Sequence, residues 1–182
     1  MTSTSNDDDD RALINRVASQ RDAGAFERLY HSYRRRLGPF MYRFVRDVAA
    51  NEETFNDVMM TVWRKAESYN GSSRVSTWIF GIAYRQCLKA LRQAGKDPGS
   101  DEHREVADEN TPSLERQDLV ERALNGLSAE HRLVIELSYF AGHSYQEIAE
   151  IAGCPENTVK TRVFHARKRL RVIMNELGEQ HS

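Results

Sequence analysis

Apolar side chains recur every three or four positions along most of this chain and almost nowhere alternate with polar ones. That period is the mark of amphipathic helices, and no stretch carries a convincing strand pattern or an internal repeat. Phe26, Leu29, Tyr30, Tyr33, Leu37, Phe40, Met41 and Phe44 make one stripe. Phe55, Val58, Met59, Val62, Trp63 and Ala66 make a second, on a helix over 51–66. A polar break over 68–76 contains Asn70-Gly71, a turn signal, and a further helix follows over 75–92. Large apolar residues then all but vanish. Residues 96–113 hold Pro98, Gly99 and Pro112 with six acids against two bases, the composition of a flexible acidic linker. Thr111-Pro112 offers an N-cap and a first-position proline for a helix over 112–125, and another helix spans 128–140. The predicted fold is all-α: an acidic disordered tail (1–10, ending in four aspartates), a helical domain (11–95), the linker (96–113) and a second helical domain (114–178).

The stretch from Ser144 to Arg171 is the most specific. Ser144 and Glu147 have the S-x-x-E spacing of a capping box, which starts a helix. Ile148, Ala149 and Ile151 are its buried side, and Gly153, Cys154 and Pro155 end it. The next helix begins over 156–158 and has Val159, Val163, Ala166, Leu170, Ile173 and Leu177 as its stripe. Lys160, Thr161, Arg162, His165, Lys168, Arg169 and Arg171 fall largely off that stripe, as does Phe164. From 156 to 171 there are six Lys/Arg against one acid. Two helices joined by a tight turn, the second densely basic, form the layout of a helix-turn-helix that reads the DNA major groove. An amphipathic helix with a solvated basic side is the plainer reading. The coincidence of capping box, turn and basic helix favours DNA.

Charge then changes the picture. The 182 residues carry a formal net charge of −1, whereas a self-sufficient DNA binder usually has a basic excess. Another molecule is therefore expected to supply much of the phosphate affinity. Cys87 and Cys154 show no pairing or metal-ligand spacing. No run approaches the ~18 consecutive apolar residues of a membrane span, and the start lacks signal-peptide character. The expectation is a reduced, cytoplasmic protein without membrane insertion, metal or cofactor.

Two surfaces in the first block are candidates. Glu53 and Asp57 lie four apart on the 51–66 helix, with Asn56, Met60 and Arg64 in a row beside them. Met60 is off the core stripe, so this face suits protein docking; a solvated face with one exposed methionine fits the spacing equally well. On the next helix Arg85, Lys89 and Arg92 share one side, Trp78 projects near it, and Tyr69, Asn70, Ser72, Ser73 and Arg74 occupy the preceding loop. Cations beside rings and amides suit a single-stranded nucleic acid. Taken alone, a core place for Trp78 and a solvated face for the basic trio fits better.

In this order the pieces resemble a bacterial RNA polymerase sigma factor of the extracytoplasmic-function group. The resemblance rests on NEETFNDVMMTVWRKAESYNGSSRVSTWIFGIAYRQCLKALR and LSAEHRLVIELSYFAGHSYQEIAEIAGCPENTVKTRVFHARKRL and extends from about 22 to 177. It implies two sigma domains, region 2 over 11–95 and region 4 over 114–178. It implies core RNA polymerase as partner, bound through the clamp coiled coil of the largest catalytic subunit by Glu53, Asp57, Met60 and Arg64, and also through the flap region. It implies promoter DNA, with the loop from Tyr69 through Asn70 and Ser73 to Arg74 capturing a flipped base of the minus-ten element. Trp78 is largely structural in the family, and Arg85, Lys89 and Arg92 read the upstream edge of that element. Lys160, Thr161, Arg162, Phe164, His165 and Lys168 fall on the minus-thirty-five recognition helix. The acidic linker matches a segment that lies in the polymerase's RNA channel, and an anti-sigma factor is a common partner.

Departures from the family pattern are local. The docking helix opens Ala50-Asn51-Glu52-Glu53 where an Asp-Ala-Glu-Asp-like run is frequent, and His165 stands where arginine is frequent. Catalysis would belong to the polymerase, so the chain is not expected to be an enzyme; its histidines and cysteines are scattered without a nucleophile or metal arrangement. A stand-alone helix-turn-helix regulator with an N-terminal dimerisation or sensor domain is the alternative, opposed by the 68–92 segment. A protein-only helical adaptor is opposed by the basic second helix.

Overall fold

A computed structural model describes residues 3–95 and 115–179 of the chain. Among these residues every regular element is helical: α1 (Ser3–Gln20), α2 (Ala23–Tyr42), α3 (Val48–Lys65), α4 (Val75–Gln93), α5 (Glu115–Asn125), α6 (Ala129–Ile135), α7 (Tyr145–Ala152) and α8 (Glu156–Glu179). The linker over 96–113 and the Thr111-Pro112 helix start lie outside the described residues.

Local chemistry sets the boundaries. The Asp22 carboxylate accepts the Ala25 N–H at 2.9 Å and starts α2. Asp47 does the same for α3 through Ala50, at 2.8 Å, so α3 begins at Val48, three residues before the predicted start at 51. Such caps satisfy amide groups that the first helical turn leaves unpaired. Between α1 and α2, Arg21 takes a left-handed φ of 51°. Its guanidinium donates to the Trp63 carbonyl at 2.7 Å and to Glu67 at 2.6 Å, which holds this corner.

The N-terminus corrects the expectation of a disordered tail: helix α1 already runs from Ser3. The four aspartates begin one turn into it, past the residues on which the helix dipole acts most strongly. Asp10 is moreover buried, accepting the Tyr33 hydroxyl at 2.6 Å and Arg36 at 2.9 Å. A charge run whose last carboxylate is buried against a half-exposed arginine is part of a core, and sequence position alone did not show the partner.

The stripes do become cores. Leu29, Tyr33, Leu37, Met41, Phe55, Val58, Met59, Val62 and Ile79 are buried among α1–α4. Phe26 meets Trp63 edge-on at 5.0 Å, and Phe40 meets Phe80 at 5.2 Å. In α5–α8 the core is Leu124, Leu133, Leu137, Ile148, Ile151, Val159, Val163 and Ala166. The helix predicted over 128–140 divides. Helix α6 gives way to a π-helical turn, Glu136–Phe140, closed by Ala141 N–H donating to the Glu136 carbonyl at 3.0 Å. Gly142 follows with φ of 70°. The wider turn keeps Leu137 buried and leaves Tyr139 and Phe140 exposed.

The two helical groups meet along a seam where α4 packs on α7. Among the described residues, no helix is long and apolar enough to cross a membrane.

Candidate nucleic-acid interface

Helix α7 starts from a complete capping box. The Ser144 hydroxyl accepts the Glu147 N–H at 3.3 Å, and Glu147 Oε2 accepts the Ser144 N–H at 2.8 Å. Helix α7 ends at Gly153, whose φ of 65° is the left-handed C-cap that glycine adopts without a Cβ penalty. Pro155 then leads into α8. Val159, Val163 and Ala166 turn inward, so Lys160, Thr161, Phe164, His165 and Lys168 are exposed. Phe164 is 65% exposed, with His165 edge-on at 5.3 Å. Lys160 pairs with Glu156 one turn back, at 2.9 Å, on the surface. Arg162 differs from the other predicted recognition residues. It is half-buried, pairs with Glu130 of α6 at 2.7 Å and donates to the Cys154 sulfur at 3.6 Å. It ties the recognition helix to its own domain.

In the first group, the loop before α4 is tightly built. Asn70 Oδ1 accepts the Ser72 N–H at 3.0 Å, an Asx turn, and Gly71 takes φ of 75°. The Tyr69 hydroxyl donates to the Ser73 carbonyl at 2.6 Å, and the Tyr69 ring lies 5.6 Å from Trp78. Trp78 is half-buried. Arg85, Lys89 and Arg92 are exposed along α4. Arg74 points elsewhere than the Asn70 turn: its guanidinium pairs with Glu147 of α7.

On α3, Glu53, Asp57, Met60 and Arg64 are all exposed, with Met60 46% so. Asn56 accepts the Tyr30 hydroxyl at 2.9 Å, and Arg64 donates to the Met60 carbonyl at 3.2 Å. An apolar side chain thus stands on a rigid helix between an acid and a base.

Sequence reasoning missed the buried polar groups of the seam. Arg43 meets Glu136 at 2.9 Å, stacks over Phe140 at 5.1 Å and offers its carbonyl to Arg132. Arg132 also donates to the carbonyls of Leu124 and Asn125, each at 2.9 Å. Burial, over the opposing influence of Arg43 and Arg132, raises the Glu136 carboxyl to about 7. His143 is 6% exposed, and burial lowers its imidazole to about 4. Burial would raise the Glu147 carboxyl, but donation from Arg74 and from the Ser144 N–H overrides it and holds the group at about 2. The one signal available for these positions was weak: Glu136 and His143 bracket a Gly-containing turn between apolar runs.

Comparison with known proteins places this geometry. Residues 29–97 match the family model for sigma-70 region 2, and residues 117–170 match that for sigma-70 region 4. The chain is 32% identical over 182 residues to the ECF RNA polymerase sigma factor RpoE of Cereibacter sphaeroides, covering 96% of this chain and 100% of that one. It is 30% identical over 169 residues to the ECF RNA polymerase sigma factor SigL of Mycobacterium tuberculosis, covering 88% and 95%. Among solved structures, the sigma factor RpoE in complex with the anti-sigma factor NepR from Bartonella quintana aligns with TM-score 0.66 at 27% identity, covering 82% and 96%. CnrH in complex with the cytosolic domain of CnrY aligns with TM-score 0.72 at 20% identity, covering 92% and 98%, a likeness of fold.

Proposed function

This chain belongs to the extracytoplasmic-function RNA polymerase sigma factors, and from that premise we propose how its surfaces divide the work. Glu53, Asp57, Met60 and Arg64 on α3 dock core polymerase on its clamp coiled coil. The Tyr69–Arg74 loop takes an extruded base of the minus-ten element, beside Arg85, Lys89 and Arg92, which hold the upstream backbone and edge. Lys160, Thr161, Phe164, His165 and Lys168 enter the major groove at minus thirty-five. Binding energy for the extruded base offsets its unstacking, a cost of a few kcal/mol in flipping systems.

The observation that carries this reading is the exposure of both basic helix faces in one chain, on separate helical groups, each beside an aromatic ring: Trp78 on α4 and Phe164 on α8. A near-zero net charge fits a protein that reads DNA while polymerase supplies most phosphate contacts. Arg162, committed to Glu130, positions α8 in this scheme. Relatives of this fold are captured with anti-sigma partners, which supports the same mode of control here.

The test is transcription in vitro with purified core polymerase and genomic fragments, with and without the chain. Discrete start sites that require the chain are expected, and aligning them yields both promoter elements. Silence with polymerase, together with footprints by the chain alone, would replace this reading with the stand-alone regulator.

A further inference from the structure

Arg21 has a backbone that suits glycine and a side chain that reaches two other segments. Alone among the described non-glycine residues it lies in the left-handed region, at φ of 51°. That conformation crowds a Cβ against the backbone, whereas glycine adopts it freely. The guanidinium forks across a joint. One amino group donates to the Trp63 carbonyl, 42 residues on, at 2.7 Å, and the other to Glu67, 46 residues on, at 2.6 Å. It also lies over the Trp63 ring, 5.9 Å from the centroid.

The joint separates two of the surfaces described above. Trp63 belongs to the last turn of α3, next to Arg64 of the docking row. A cation there meets the negative end of the helix dipole. Glu67 belongs to a single 3-10 turn, Ala66–Ser68, that leads directly into the Tyr69–Arg74 loop. Turn and loop are tied together: the Tyr69 N–H donates to the Ala66 carbonyl at 3.1 Å, and the Tyr69 hydroxyl to the Ser73 carbonyl at 2.6 Å. One planar guanidinium therefore spans the place where α3 hands over to the loop.

Stability does not explain this arrangement. The Arg21 and Glu67 side chains are 45% and 63% exposed, and ion pairs in water add little to a fold. The corner has other fastenings. The Arg21 N–H donates to the Val17 carbonyl at 3.1 Å, and Asp22 accepts Arg16 at 2.6 Å while capping α2. A glycine here would relieve the backbone and keep all of these. Backbone strain retained for the sake of a contact between segments points to function.

We propose that Arg21 is a positioning residue for promoter opening. It holds α3 and the minus-ten loop as one rigid unit, so that docking on polymerase through α3 places the loop where an extruded base enters. The inference rests on the assignments of the docking row and of the loop made above. Arg21 itself touches neither polymerase nor DNA in this scheme. A capture site displaced by about 1 Å loses much of its effect, while closed-complex binding uses other surfaces and is retained. Lysine would keep the charge but not the fork that holds a carbonyl and a carboxylate together.

The experiment uses holoenzyme assembled from core polymerase and the full chain, on a promoter found by start-site mapping. Permanganate reactivity of unpaired thymines reads opening, filter binding reads total promoter complex, and competition with labelled wild-type chain reads core affinity. Arg21→Gly should lower the open fraction about tenfold, the weight of one charge-assisted hydrogen bond, with core affinity, total binding and thermal stability retained. Arg21→Lys should recover part of the opening, and Glu67→Gln should lose part of it; these two carry the test if the glycine variant does not fold. On a template mismatched across the minus-ten element, where no pairing has to be broken, all three variants should transcribe like wild type. A merely structural Arg21 would instead lose stability and core affinity together. That pattern, or normal opening by the folded variants, would overturn the proposal. Asn70→Ala separates it from the assignment of the loop. Opening lost with Asn70→Ala but normal with Arg21→Gly removes the role of Arg21 alone. Normal opening with Asn70→Ala removes the loop's assignment and this proposal with it.

Discussion

The imidazole of His143 stands edge-on to the ring of Phe80, centroids 4.9 Å apart and planes at 66°, and its Nδ1 has no hydrogen-bond partner among the described residues. Glu147 approaches Nδ1 to 3.9 Å and favours protonation, while Arg74 and Arg36 oppose it. Burial is the largest influence; with the two arginines it overrides Glu147 and holds the group neutral down to about pH 4.

A neutral buried histidine ties stability to pH in a defined direction. The unfolded chain takes up a proton near the ordinary histidine value of 6.5, while the fold resists until about 4. His143 therefore stabilises the fold fully above 6.5 and loses that contribution as the pH falls toward 4. Glu136 runs the other way: its raised carboxyl, at about 7, stabilises the fold below the ordinary value of 4.5 and loses this as pH rises through 7. The two offset each other between pH 7 and 5, so the wild-type curve should be shallow there. Replacing His143 by Gln should improve stability relative to wild type by roughly 2 kcal/mol on going from pH 7 to pH 5. Urea unfolding of both proteins at the two values reads the difference; parallel curves would show that the imidazole titrates freely in the fold.

Arg43→Ala should be costlier in base than in acid. Removing the guanidinium leaves Glu136 as a buried carboxylate without its partner at 2.9 Å, a loss of about 3 kcal/mol where the group is ionised. Below pH 6 the carboxyl takes up a proton and the cost shrinks. Chemical unfolding at pH 8 and pH 5.5 decides this, and an equal penalty at both would mean Arg132 alone holds the charge.

Tyr33→Phe deletes the hydroxyl that donates to Asp10 at 2.6 Å inside the core. The expected loss is about 1–3 kcal/mol, because Asp10 keeps only Arg36. Hydrogen exchange should then quicken in α1 before it does in α3. Unaltered protection of α1 would mean that Asp10 does not anchor this helix.

Asp57→Lys tests the docking face. Asp57 is exposed on α3, and its side chain is outside every core contact, so thermal stability should stay within about 0.5 kcal/mol of wild type. Affinity for core polymerase should fall at least tenfold, measured by competition with a labelled wild-type chain. Full affinity would move the docking surface off this row.

Lys168→Ala should lower promoter affinity of the assembled holoenzyme for all sequences alike and reduce the salt slope by about one. Phe164→Ala, on the same face, should instead change the ranking among minus-thirty-five sequences. A filter-binding series across salt separates the two.

Much of the scaffold was legible because it is periodic. The Tyr33, Leu37 and Met41 stripe and the Val159, Val163 and Ala166 stripe are buried as their spacing requires. Ser144 and Glu147 form the cap that their three-residue offset announces. What stayed hidden is the chemistry that acts between segments. Glu147 reads as a capping residue, and nothing at its position announces Arg74 more than seventy residues upstream. The acidic run looked like a solvated tail because Asp10 meets Tyr33 and Arg36 only once α2 has packed. The division of the 128–140 helix turns on wider backbone hydrogen bonds such as Ala141 to Glu136, which leave no mark in hydrophobic spacing. At the site, exposure of the basic residues followed from periodicity, but the withdrawal of Arg162 toward Glu130 required the neighbouring helix.

The two thiols have opposite fates in this fold. Cys87 is fully enclosed in α4, and burial pushes its thiol up to about 12, so it supplies almost no thiolate at neutral pH. Cys154 is half-buried at the corner between α7 and α8, touching Arg162. An alkylating reagent added to the folded chain should therefore mark one site, at the hinge of the helix pair that meets DNA. That single adduct offers a built-in chemical footprint: its rate of formation, read by mass spectrometry, reports when the corner is covered by a promoter, without any engineered label.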